Sequence, residues 1–214
     1  MREQTGQAAS STETLDAGVA FLTTELPQVH DLNCAWLDRP PAEPPRVPKV
    51  LYTDEAVAPA LPGWNSRRIE VLAWRRDPPP RSDAVEQVDL DTQAPVQAAI
   101  NREVGFDEEL VTQLDDANRR REQRTGKRSF GRMVSGRAVA LADLYSDGTV
   151  SQVEDVATLP DHRRRGHGRE VVLHAVAMAT GHDLIFLVAG EANAPWYERM
   201  GFERVGGYWE ASPM

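Results

Sequence analysis

Residues 160–175 read PDHRRRGHGREVVLHA, four arginines around two glycines, directly before an apolar run. Val172, Leu173, Val176 and Ala179 recur near helical spacing, and the preceding VEDVATLP alternates as a strand does. A strand, a glycine-containing turn and a helix start together make an anion site. The first backbone N–H groups of a helix have no internal partner, and the dipole there is positive. Gly166 and Gly168 carry no Cβ, so an anion can approach those N–H groups closely. Arg163, Arg164, Arg165 and Arg169 add charge-assisted donors, and His167 contributes its backbone N–H. The loop suits a pyrophosphate. Two other readings stay open on these residues: a solvated basic loop, and a nucleic-acid patch, which the lack of interleaved aromatics and the acidic composition disfavour. No Gly-Lys-Ser/Thr follows, which excludes a Walker loop, and the three-glycine dinucleotide spacing is absent.

The elements that must position this loop are legible around it. From residue 85 the pattern is β-α-α-β-β-β-α-β-α-β: AVEQVDLD as a strand, then APVQAAINREVG and FDEELVTQLDDANRRREQRTG as helices ending at glycines. RSFGRMV, RAVALADLYS and TVSQVEDVATL follow as three antiparallel strands separated by glycine turns. REVVLHAVAMAT reads as a helix, DLIFLVAG as a buried strand, NAPWYERM as a helix and ERVGGYWEA as the last strand. Upstream, GVAFLTTELP, KVLYTD and RRIEVLAW read as strands and EAVAPALPGW as a short helix. Two proline clusters, at 38–49 and 75–84, exclude helix and central strand. The domain expectation is a flexible stretch 1–14, an α/β region 15–76, a linker 77–84 and a second domain 85–214, with a long surface loop inside one domain as the other reading of the second cluster. KVLYTDEAVAPALPGWNSRRIEVLAW and DLIFLVAGEANAPWYERMGFERVGGYWE also share an order of strand, helix, Gly-aromatic and strand, which duplication and chance resemblance explain equally well.

With 214 residues, a net charge of −9 and 27% charged residues, the composition is that of a globular protein not built to coat nucleic acid or anionic lipid. One cysteine, Cys34, excludes an internal disulfide. No secretory pattern or membrane-length apolar run is visible, and a cytoplasmic location is expected. His162, His167, His174 and His182 lack metal-ligand spacing, so no metal is expected. Trp36, Trp64, Trp74, Trp196 and Trp209 read as core or interface anchors, and ANRRREQRTGKR (117–128) as the solvated end of a helix.

RRRGHG, Arg163 to Gly168, matches in full the Gln/Arg-x-x-Gly-x-Gly/Ala pyrophosphate motif of the GNAT superfamily of N-acetyltransferases, and NAPWYERMGF resembles that family's late motif. The resemblance covers about residues 85–214, including the order of elements. It implies an α/β fold with a central mixed β-sheet flanked by helices, splayed where acetyl-CoA enters, plus an N-terminal region that would be a degenerate half of the same fold and, lacking the loop, would not bind CoA. It implies acetyl transfer to a primary amine of a small molecule or peptide by direct attack in a ternary complex. The backbone of Val156, Ala157 and Thr158 would line acetyl-CoA, Tyr197 would donate to the CoA sulfur, and Asn193 would either bond the cofactor arm or cap its helix. Such transfer needs a base for the ammonium. Glu154, which strand alternation puts one step before the cofactor segment with Asp155 on the opposite face, is the candidate. The partners expected are acetyl-CoA and an amine; a homodimer is left open. Because the second helix often borders the acceptor site in this family, the resemblance also leaves open that the charges of 117–128 select an anionic acceptor. The alternatives are a non-catalytic CoA-binding or interaction protein on this scaffold, and an acyltransferase using another short acyl-CoA.

Overall fold

The computed structural model describes residues 2–39, 45–52 and 61–214. Most of the expected helix at 55–64 and the centre of the first proline cluster lie outside them. The chain opens with α1 (Arg2–Ala8), β1 (Ser11–Leu15), β2 (Gly18–Leu22), β3 (Cys34–Leu37), β4 (Lys49–Tyr52) and β5 (Trp64–Trp74). It continues with β6 (Val85–Val88), α2 (Leu90–Glu103), α3 (Glu108–Arg124), β7 (Arg128–Val134), β8 (Arg137–Ser146) and β9 (Val150–Thr158). The last elements are α4 (His167–Met178), β10 (Leu184–Gly190), α5 (Ala194–Met200) and β11 (Phe202–Pro213). The order from residue 85 is the one the sequence pattern predicts.

Local chemistry sets the boundaries. Asp89 accepts from the Thr92 N–H and starts α2 four residues before the expected helix, with Pro95 still in its early turns. Asp107 caps α3 in the same way through the Leu110 N–H. The stretch 1–14, expected to be flexible, carries α1 and most of β1, and β1 pairs along its whole length with β2.

All strands join one mixed sheet in the order β1-β2-β3-β4-β11-β5-β10-β9-β8-β7-β6. The second proline cluster therefore joins β5 to β6 within a single sheet, and β5 lies between β10 and β11, antiparallel to both. The pairing repeats. β1, β2, β3 and β4 pair antiparallel, antiparallel and parallel, as do β7, β8, β9 and β10. In each run the last strand crosses over: β11 sits against β4, and β5 against β10.

β8 is buried on both faces. Ala140, Ala142 and Leu144 pack under α4 with Val172 and Val176, while Ala138, Val139 and Leu141 pack under α2 with Val96. Lys127 and Asp143 form a fully buried ion pair of 2.7 Å, with Gln93 of α2 donating to both Asp143 oxygens. β9 pairs with β10 only from Val150 to Val153, opposite Leu184 to Leu187. Beyond this the two parallel strands diverge, and the β10-facing backbone of residues 154–158 meets no strand.

Candidate functional site

Two cavities meet at the divergence. One, of about 590 Å³, is lined by Val156, Ala157, Thr158, His162, Arg163, Arg164, the stretch from Gly166 to Arg169, Asn193 and Tyr197. It gathers the cofactor residues expected from the sequence except Arg165, which lines a neighbouring cavity with Trp74 and Ser82, and not all of them sit in the expected roles. Gly166 is the residue before α4, at φ +87°, with open space where a Cβ would stand. No side chain caps α4, so its first turn faces the cavity without a competing partner. Gly168 has a different reason for being glycine: a Cβ there would come within 3.0 Å of Thr158 Oγ1, so its absence lets α4 close on β9. Arg163 is engaged elsewhere. It forms a two-pronged bond to Glu103 at the end of α2 and donates to the Thr158 carbonyl. Arg164 and Arg169 line this cavity and make no side-chain hydrogen bond or ion pair with a described residue, and Arg164 itself sits at φ +58°. Asn193 precedes α5 but makes no capping bond.

The second cavity, about 310 Å³, lies across both runs of strands. Val156 and Tyr197 line it as well as the first. Tyr197 is fixed by edge-on contacts with Trp196 at 4.7 Å and Phe202 at 6.1 Å, and burial pushes its phenol up to about 12, so it remains a proton donor. Glu154 lines this second cavity. Burial, then the neighbouring Asp155, raise its carboxyl to about 7, although Arg121 pulls the other way.

Strand alternation fails just after Glu154. Asp143 faces Glu154 and Leu141 faces Ala157, so Asp155 and Val156 together oppose the single Ala142. This is a β-bulge with Asp155 at φ +50°. Asp155 was expected on the opposite face of the strand; the bulge instead turns it into the same cavity as Glu154 and Val156. Sequence reasoning missed Asp155, Tyr145 and the N-terminal wall of Asp31, Cys34, Trp36, Lys49 and Arg67; Arg121 belongs to the stretch 117–128 whose charges the family resemblance set beside the acceptor. The arginine-rich end of α3 is not simply solvated. Arg120 and Arg124 bond Ser10 and the Ala9 carbonyl, and Arg121 enters the cavity.

A single mixed sheet, opened between two parallel strands with a glycine-arginine helix start at the opening, defines an acyl-CoA acyltransferase type of fold. Residues 84–202 match the acetyltransferase (GNAT) family profile, and the chain belongs to that family. No curated protein matches it. Among solved structures, it is similar to a functionally unknown conserved protein from Staphylococcus epidermidis, with 13% identity and a TM-score of 0.74 over 95% of this chain and 93% of the other. It is also similar to a GCN5-related N-acetyltransferase from Kribbella flavida, with 20% identity and a TM-score of 0.63 over 99% and 94%. Both likenesses extend across the N-terminal strands and define the fold.

Proposed function

We propose that the protein transfers an acetyl group from acetyl-CoA to a primary amine, by direct attack with both substrates bound. The observation that carries this reading is the junction of the two cavities at Tyr197 and Val156, with the cation-rich loop on one side and Glu154 on the other. The pyrophosphate of acetyl-CoA would lie against the first turn of α4, held by its N–H groups with Arg164 and Arg169. Bound there, acetyl-CoA supplies an acyl thioester. The open backbone of Val156, Ala157 and Thr158 would hold the pantetheine arm and polarise the carbonyl. Glu154 takes a proton from the acceptor ammonium, its raised carboxyl matched to neutral pH. Tyr197 gives its O–H to the departing sulfur.

The test is calorimetric titration with acetyl-CoA, followed by thiol release in the presence of amines. Micromolar binding is expected, weakened at least tenfold in an Arg164→Ala, Arg169→Ala variant and abolished in Gly168→Asp. A well-folded wild type that binds no acetyl-CoA would refute the reading.

A further inference from the structure

Which amine the second cavity admits follows from the charges in it that are already satisfied. Lys49 bonds Asp31 and reaches Glu210 at 2.8 Å, and Arg67 bonds Glu210 at 2.7 Å. These four groups neutralise one another at one wall. Arg121 is different. Its side chain is 17% exposed, its nearest carboxylate is Asp31 at 4.0 Å, and no described residue accepts a hydrogen bond from its guanidinium. A guanidinium so withdrawn from water normally has its donors engaged. Tyr145, 2% exposed on the same cavity, has a hydroxyl with no partner among the described residues. The cavity therefore holds two unused donor groups that suit one carboxylate.

It also holds unused acceptors. Among the described residues, Asp155 makes no hydrogen bond or ion pair and Glu154 receives only the Gln152 amide. The separation is short. Tyr145 lies opposite Gln152 in the β8–β9 ladder and Glu154 is two residues further along β9, a diagonal of about 7 Å.

We propose that the acceptor is a small zwitterion of the free amino-acid class, its ammonium held between Glu154 and Asp155 and its carboxylate on Arg121 and Tyr145. The proposal rests on the acetyltransferase reading above. The ammonium loses one proton to Glu154, and the neutral nitrogen forms the new N–C bond at the thioester carbonyl. The C–S bond breaks as the second nitrogen proton balances the thiolate by way of Tyr197. The products are an N-acetylated amino acid and free CoA thiol, with the Glu154 proton returned to water. Asp155 is then an ammonium-binding residue that exists only because the bulge turns it inward.

The experiment is calorimetric titration of the full chain, without acetyl-CoA, against the twenty common free amino acids. Each is paired with the amine that lacks its carboxylate, and spermidine is included as a carboxylate-free polyamine. Thiol release from acetyl-CoA is then measured with the same panel. At least one amino acid is expected to bind saturably, at least 30-fold tighter than its decarboxylated amine. That ratio should fall below about 5 in Arg121→Gln. Tyr145→Phe, which keeps the ring and removes only the donor, should lower it by a smaller factor and guards against misfolding of the arginine variant. Equal binding of the decarboxylated amine, tighter binding of spermidine, or no amino-acid binding at all would overturn the proposal. Because these titrations omit acetyl-CoA, their failure is separable from a failure to bind the cofactor, which would refute the acetyltransferase reading instead.

Discussion

Glu154 shows how one residue's surroundings set a working pH. A strand glutamate in water titrates near 4.5; here burial and Asp155 bring it to about 7. If Glu154 is the base, kcat/KM should rise about tenfold per pH unit below 7 and level off above it. Glu154→Gln should remove that limb and lower turnover about 10²- to 10⁴-fold. The same shift has a consequence for stability. Because the folded pKa is raised, the native state binds more protons than the unfolded chain between about pH 4.5 and 7, so folding loses stability as pH rises through that window. Glu154→Gln should therefore melt higher than wild type at pH 8 and about the same at pH 4. Rate profiles and thermal melts on the two proteins check both halves. A flat wild-type profile from pH 5.5 to 8 would remove Glu154 from the chemistry.

At the scale of elements, the β9–α4 junction separates residues that bind from residues that brace. Arg163, first in the loop motif, is braced against Glu103, and the pair is 46% and 36% exposed. Half-exposed pairs contribute at most about 1 kcal/mol. Arg163→Ala and Glu103→Ala should each weaken acetyl-CoA binding less than about fivefold, and the double variant no further than either alone. Arg164→Ala should add independently to both, so titration of the four variants tests the division. Additive losses for Arg163 and Glu103 would mean that Arg163 contacts the cofactor directly. The loop itself was legible because its chemistry is local: glycines, arginines and a helix start lie within ten residues. Its brace was not, since Arg163 and Glu103 are 60 positions apart. Likewise β3 (CAWL) is buried at every position and too short to alternate, so it carries no strand signature. The bulge in β9 is equally invisible, because nothing in VEDVAT marks where two residues face one.

The whole molecule is one sheet made from two runs of strands with the same pairing pattern, each closed by the other's last strand. That exchange explains why the internal echo between 49–74 and 183–210 is faint in sequence yet clear in topology: the strand order is preserved while the connection between the parallel strands β3 and β4, residues 38–48, is far shorter than the one between β9 and β10, residues 159–183. It also means that the part with the loop cannot stand alone. Without β5, β10 and β11 lose the strand between them, and Leu72, fully buried in the main core, goes with it. Each large aliphatic residue so exposed costs about 1.5–3 kcal/mol, against a total stability of about 5–15 kcal/mol. The two new edges would also invite aggregation. A fragment of residues 77–214 should therefore lack a cooperative thermal transition and fail to bind acetyl-CoA. Co-expression with residues 1–76 should restore both, since the cut falls in an irregular surface stretch between β5 and β6. Circular dichroism melts of the fragment and of the reconstituted pair provide the measurement. A fragment that melts cooperatively at the full chain's temperature would show that the N-terminal strands are an addition to the sheet and not its structural centre.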